Sequence, residues 1–600
     1  MQENIENRTT LFHRPIIWIA LLTLSLGCVW TAQRFFSEAF PLVALDLQMD
    51  RERALEQSAQ RVETHGWGPE EYKQAAAFDL DGQTQHFVEL EGGGNSAFAN
   101  MLAGNLYAPY QWKVRHFQQG SAHEVTLSFK PDGTWYGFDE RLPEDEPGAA
   151  IAADAARQIA VEAATELGIA LDAYQPISTS EEVRLSKRVD HTFVFERSGS
   201  DLGEGRYRLN LVVSGDRLTA LTHKVFVPEA FTRQYTEMRS ANETLAAGAS
   251  VAMLLLYVVG GAVGTFFLLR QRWVLWKTAL RWGLIVGGLQ GAVLLNQIPL
   301  SWMYYDTAIS TQAHIVEQLI GAVVATVGMT LLLAFSFLMA ESLSRRAFPH
   351  HIQFWNLWSP STAGSPQVLG QTVGGYLLIG PMFAFVVGFY YLNSQLLDWW
   401  NPSSALFEPN VLAAYFPWLS SIANSLQAGF WEECLFRAVP LAGAALLGQR
   451  VGRPRLWIAG AFLLQMIIFG AAHANYPAQP AYARVVELLV PSAVFGFLYL
   501  RFGLLPAIVM HFAYDVVWFA MPLFVAQSPE LFIDRALVIA LAFIPLTVPI
   551  AYRWKQGAWK TVEGRDYNAA WLPAPEEDAP IQTQPIAQTV EGPTRARYAW

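Results

Sequence analysis

The chain has 600 residues, of which 52% are hydrophobic and 16% charged, with 21 Trp and 37 Phe; this composition argues against a wholly soluble multidomain protein. A net charge of −11, with no basic patch interleaved with aromatics, argues against nucleic acid as a partner. The two cysteines, Cys28 and Cys434, lie in different apolar runs and speak against both a disulfide framework and a cysteine-rich metal site.

The first apolar run, Pro15 to Ala32, follows Arg8, His13 and Arg14. It lacks a small-x-small cleavage site and is long enough to span, so it reads as a retained signal anchor closing a 1–35 segment. From 36 to 242 the charges return, which predicts a soluble α+β domain. It divides into two related halves, each an Ala-rich helix followed by strands, a Gly-Asp or Asp-Gly turn and a Pro-Glu exit. In the first half "RALEQSAQRVETHGW" leads to "QWKVRHF" and "EVTLSFKPDGTWYGF"; in the second "ADAARQIAVEAATELGI" leads to "HTFVFE" and "YRLNLVVSGDRLTALTHKVFVPEA". The pattern loosely resembles a tandem of PepSY-like modules, small α+β domains often attached to membrane proteases and membrane oxidoreductases.

From 243 to 553 the chain reads as membrane, with spans expected near 246–270, 278–298, 313–340, 371–394, 412–448, 456–474, 484–502, 504–523 and 534–552. With the first anchor these make about ten transmembrane helices. The fold class expected is therefore a polytopic all-α membrane protein with an inserted α+β domain. "GGAVG" at Gly260 to Gly264 predicts close helix packing. Arg270, Arg272 and Lys277, then Arg345 and Arg346, then Arg450, Arg453 and Arg455, then Arg553, Lys555 and Lys560 fall on one side if each span crosses once. That side is expected to be cytoplasmic. A multi-pass protein of the plasma (inner) membrane follows, with membrane lipid around it and residues 36–242 extracytoplasmic. His350 and His351 would then meet lipid headgroups. The segment 554–600, rich in proline and polar residues, reads as a disordered cytoplasmic tail.

Within the later spans, charged residues need a reason, since each costs about 2.5–3.5 kcal/mol at the bilayer centre. In "FWEECLFRAV" Glu433 and Arg437 stand four apart on one helical face and can pair, while Glu432 points about 100° away with no partner in its helix. "FGAAH" ends a span with His473, and "HFAYD" sets His511 and Asp515 four apart. Taken singly, each of the histidines reads as structural at least as well. Taken together, a free carboxylate and two histidines from three spans are the inventory for activating water and stabilising an oxyanion in a dry site. Cys434, in apolar surroundings, is a poor nucleophile.

The order EExxxR, FxxxH, HxxxN/D on successive spans, here "EECLFR", "FGAAH" and "HFAYD", resembles the CPBP family of intramembrane proteases, also called the Abi or CAAX protease family. The resemblance covers about 412–521. It implies that Glu432 is the general base, that His473 helps hold the water, and that His511 with Asp515 forms the oxyanion side. Glu433, Arg437 and Phe469 are then structural supports. An aspartate at the last position cannot donate to an oxyanion when ionised, so Asp515 is expected to orient His511 or to be protonated itself. The substrate would be a protein or peptide. No cofactor is required, although Glu432, His473 and His511 could together ligate a divalent metal such as zinc, so that metal is left open; no HExxH occurs.

The span map raises one conflict. It places His473 at the outer end of its span and His511 about 10 Å from the inner face, depths at which the residues cannot meet unless helices tilt or break, or "HANYPAQPAY" re-enters a cavity. Two rival functions stay open: a non-catalytic scaffold or immunity factor with the same fold, and a transporter using an intramembrane carboxylate. The absence of internal symmetry in the membrane region counts against the transporter.

Overall fold

The computed structural model describes residues 14–40, 45–103, 107–199, 202–404 and 407–573. Arg8 and His13, invoked above as a basic start, and the segment 574–600 lie outside the described residues.

Helix α1 (Pro15–Ala39) opens with proline at its first turn, where the missing N–H costs no hydrogen bond. The α+β domain follows: α2 (Arg51–His65), β1 (Lys73–Leu80), α3 (Gly82–Leu90), α4 (Gly94–Ala103), β2 (Tyr110–Phe117), β3 (Glu124–Phe129), β4 (Trp135–Arg141), α5 (Ala153–Glu166), β5 (Tyr174–Val183), β6 (Val189–Arg197), β7 (Arg206–Ser214) and β8 (Arg217–Phe226). The strands form one antiparallel sheet in the order β1-β2-β3-β4-β8-β7-β6-β5. Each half thus supplies four consecutive antiparallel strands after a leading helix, α2 or α5, and the first half adds α3 and α4 between β1 and β2. The halves join through β4 and β8 by only two residue pairs, Phe138 with Leu221 and Asp139 with Ala220. Burial alternates along β2, β3 and β7, the period-two signature of a sheet with one covered face.

The remaining described chain is helical. It comprises α6 (Glu229–Arg270), α7 (Trp276–Asn296), α8 (Thr311–Ala347), α9 (Pro366–Leu396), α10 (Pro417–Glu432), a π-helical turn at Glu433–Ala438, α11 (Val439–Arg450), α12 (Pro454–Ala472), α13 (Ala483–Phe502), α14 (Leu504–Phe519), α15 (Phe532–Ala542) and α16 (Ile544–Gln556). Among the described residues seven helices, α1, α6, α7, α8, α9, α12 and α13, are long and apolar enough to cross a membrane, or eight when the bent pair α15 and α16 counts as one. The expectation was about ten. Helix α14 is too short for that criterion, and the stretch from α10 to α11 carries Glu432, Glu433 and Arg437 in its middle.

Small residues draw the helices together. An added Cβ at Gly291 of α7 would sit 1.8 Å from Thr326 Oγ1, and at Gly287 2.4 Å from Thr330 Oγ1, so α7 and α8 pack nearly backbone to backbone. In "GGAVG" the close approaches fall at Gly261, against Met339 and Val439, and at Gly264, against Leu343.

The helix connections sort to two ends. At one end they meet the α+β domain: Arg115 donates to the carbonyls of Trp302, Met303 and Tyr305, Asn410 pairs with the backbone of Phe78, and Ser528 donates to Asp50. At the other end lie the basic connections and the segment after α16. That segment was expected to be disordered, but residues 563–571 pack on the 348–361 connection. Ile352 bridges Tyr567, and Asn356 Nδ2 donates to Asp566 Oδ1 at 2.9 Å. The same packing buries His351 against Phe348 and Tyr499 instead of leaving it to lipid headgroups.

Candidate active site

The site is assembled where α10 changes pitch. Pro440, in the first turn of α11, has no N–H and would clash with the carbonyl four residues earlier in a regular α-helix. The wider turn Glu433–Ala438 immediately precedes it. Such π turns recur at functional sites because the extra residue re-aims neighbouring side chains. Here both adjacent glutamates reach one histidine. Glu432 Oε2 lies 3.7 Å from His511 Nε2, and Glu433 Oε1 lies 2.9 Å from His511 Nδ1.

Glu432 Oε2 is also 3.8 Å from His473 Nε2. His473 Nδ1–H donates to the Phe469 carbonyl at 2.8 Å, which turns Nε2 toward Glu432. Asp515 Oδ2 lies 3.5 Å from His511 Nε2. It therefore shares the nitrogen that faces Glu432, while the opposite nitrogen is oriented by Glu433. The side chains of Glu432, His473 and Asp515 keep 15%, 23% and 14% exposure, whereas Glu433 and Arg437 have none. The first three line an accessible face and the last two lie behind it.

Arg437 Nε stands 3.5 Å from Glu433 Oε2, the i,i+4 pair expected from the sequence. Its guanidinium lies over the rings of Phe469, 4.0 Å away, and Phe495, 5.4 Å away. None of its nitrogens makes a hydrogen bond among the described residues, so Coulomb attraction and the two ring faces hold it. Phe469 thus has several contacts in the site: its carbonyl fixes His473, its ring faces Arg437, and the same ring packs against His473 at 4.5 Å and edge-on to His511 at 6.5 Å.

The depth conflict resolves in three ways. Helix α14 runs antiparallel to α10, with Gly429 against Ile508 and Phe512 and Ser421 donating to the Phe519 carbonyl. Side chains on a helix lean toward its N-terminus, so His473 reaches back along α12 while Glu432 reaches the opposite way. After Ala472 the chain leaves helical structure until Ala483. Its carbonyls there are taken by α6: Arg239 donates to Asn475, and Asn242 to Ala478 and Ala481. Irregular backbone at membrane depth is stable only when its polar groups are satisfied in this way.

The sequence reading missed Phe495, whose ring stacks on His511 at 4.9 Å, and the buried pair Arg484 and Glu487, joined at 2.6 Å. The pair had a signal: two opposite charges three apart at the start of an apolar span. Phe495 had none, being one of many aromatics. Among the described residues no group of three or more His, Cys, Asp and Glu side chains is arranged to hold a metal ion. The imidazole nitrogens of His511 already face carboxylates on both sides.

Glu432, His473, His511 and Asp515 all fall within one matched segment: residues 414–517 match the family model of the type II CAAX prenyl endopeptidases, Rce1-like. No curated protein and no solved structure matches the chain. With its apolar helices the chain is a multi-pass membrane protein, and its residues 414–517 are similar to the Rce1-like type II CAAX prenyl endopeptidases, consistent with the CPBP/CAAX resemblance of its motifs.

Proposed function

We propose that the protein is an intramembrane endopeptidase that hydrolyses a peptide bond of a membrane-associated protein or peptide, with Glu432 as general base. The observation that carries this reading is the convergence of one carboxylate oxygen with the Nε2 atoms of His473 and His511, from three helices, each within 4 Å. A water seated between Glu432 and His473 donates one hydrogen to each, because the Nδ1–H of His473 is committed to Phe469 and its Nε2 accepts. The water's lone pairs then face away from both. As it attacks the carbonyl carbon, its proton passes to Glu432 and the carbonyl oxygen gains negative charge. His511, whose Nδ1–H is held by Glu433, donates to that oxygen from Nε2 as the imidazolium. Glu432 returns the proton to the leaving amine.

In this reading Asp515 stabilises the imidazolium, and the reaction runs without a metal. The protein sits in the plasma membrane, with its basic connections cytoplasmic and residues 36–242 on the opposite side. Counting α10 to α11 and α14 as crossings, with the bent pair, brings the spans to ten. The two halves of four consecutive antiparallel strands support the PepSY-like reading of the sheet domain.

The test is proteomic: compare new protein ends in membrane and secreted fractions of cells carrying the intact protein or Glu432→Gln at matched abundance. Ends that depend on Glu432 support the peptidase. Identical profiles, under conditions where the intact protein matters to the cell, favour a scaffold instead.

A further inference from the structure

A cleft of about 340 Å³ lies between the sheet domain and the membrane helices, within the usual size range of ligand sites, about 300–1,000 Å³. Five rings line it, Tyr390 from α9, Phe407 from the connection after α9, Tyr476 from the connection after α12, Phe519 at the end of α14 and His86 of α3 from the sheet domain, beside the polar side chains of Ser404 and Glu408 on the connection after α9. Tyr476 connects the cleft to the site, its ring stacked 6.5 Å from that of His473.

The walls are tied into one unit. Glu89, one turn after His86, accepts from Trp400 Nε1 at 2.9 Å and Ser403 N at 3.1 Å. Trp400 in turn exchanges both backbone hydrogen bonds with Gln479, each 2.8 Å, on the connection that begins at His473. The sheet domain therefore fixes both the cleft and the segment carrying His473. Arg484, the cation lining the cleft, is committed to Glu487 and lies over Tyr476. Glu408 also lines the cleft, so an acidic ligand would meet a carboxylate there, whereas the flat faces suit an aromatic ring.

We propose that this cleft is a specificity site of the peptidase, taking an aromatic side chain of an extended polypeptide segment, with the sheet domain as one wall. This rests on the peptidase reading above, and the two are tested apart.

The experiment uses the full chain in lipid nanodiscs and, as probe, a water-soluble peptide library made by digesting a whole proteome, with new ends identified by mass spectrometry. The intact protein is expected to cut bonds with Phe, Tyr or Trp at one fixed position relative to the cut. His86→Trp, which fills the cleft from the sheet side, and Ser404→Trp, which fills it from the α9 connection, are each expected to lower cleavage of those peptides about tenfold or more. On a single peptide from the set the loss should sit in KM rather than kcat, which a general structural defect would not produce. His86→Ala, which enlarges the cleft, should retain the aromatic preference. Cuts with no aromatic preference, or a preference unchanged in both filled variants, overturn the cleft assignment while Glu432-dependence leaves the peptidase standing. If Glu432→Gln cuts the same bonds as the intact protein, the peptidase reading itself falls.

Discussion

Glu433 Oε1 and His511 Nδ1, 78 positions apart in the chain, lie 2.9 Å from each other. The glutamate expected only to brace its own helix therefore also orients the histidine of another. It accepts from His511 on one oxygen and faces Arg437 with the other, so charge balance and ring orientation are set by one buried carboxylate.

This separates two adjacent glutamates by experiment. Glu432→Gln removes the base and is expected to lower cleavage by about 10²–10⁴-fold. Glu433→Gln keeps an acceptor for His511 and should lose less, about tenfold, with the change mainly in kcat. Rates on a peptide identified from Glu432-dependent ends give the comparison, and equal losses would contradict the division of roles.

Arg437→Met removes the cation facing Oε2 of the fully buried Glu433, leaving only the His511 side of that carboxylate partnered. Breaking a buried pair from one side typically costs about 3–5 kcal/mol. The variant should melt well below the intact protein in detergent. Combining it with Glu433→Gln should restore much of the melting temperature without restoring full activity, since the second substitution takes from His511 Nδ1 its anionic partner.

Gly429 allows α10 and α14 to touch: an added Cβ would lie 3.0 Å from Phe512 N and 3.2 Å from the Ile508 carbonyl oxygen. Both are backbone atoms that cannot rotate away. Gly429→Val is thus expected to push α14 outward, lengthen the gap between Glu432 and His511, and abolish cleavage while the sheet domain stays folded. Hydrogen exchange across β2 and β3, measured beside activity, distinguishes this from global unfolding.

The sheet domain carries its own pH dependence. His116 is buried beside Ser58, 2.6 Å away, and burial lowers its pKa from 6.5 to about 4. Protons then bind the unfolded chain more tightly than the folded one. Stability is complete above about pH 6.5 and declines as pH falls toward 4. Slowed exchange in β2 should weaken over that window in the intact protein, and His116→Gln should flatten the part of the dependence that His116 supplies.

A reaction carried by Glu432 and the two histidines should survive prolonged dialysis against a strong chelator, with the Glu432-dependent rate changed by less than about twofold. Loss of activity that zinc restores would assign the three side chains to a metal instead.

Much of the site was legible because its signals are local. The pairing of Glu433 with Arg437 follows from helical spacing, the lack of a partner for Glu432 within its own helix from the 100° step, and the membrane character of the helices, though not the expected ten spans, from the free energy of burying apolar side chains; none needs knowledge of a distant residue. The charged pair Arg484 and Glu487 was equally readable. What no local rule supplies is which nitrogen of His511 meets which carboxylate, how α12 and α14 bring His473 and His511 to one oxygen, or that Trp400 pairs with Gln479 on the connection that begins at His473. These depend on contacts between residues tens to hundreds of positions apart, selected by the packing of helices at Gly429 and Gly291 and by the register of the sheet domain on the helix ends. By itself the sequence determined which residues could do chemistry and that they lie in membrane-type helices. Only the tertiary structure decided their partners, because side-chain geometry at a buried site is the sum of many long-range packing choices, each invisible to its own neighbourhood.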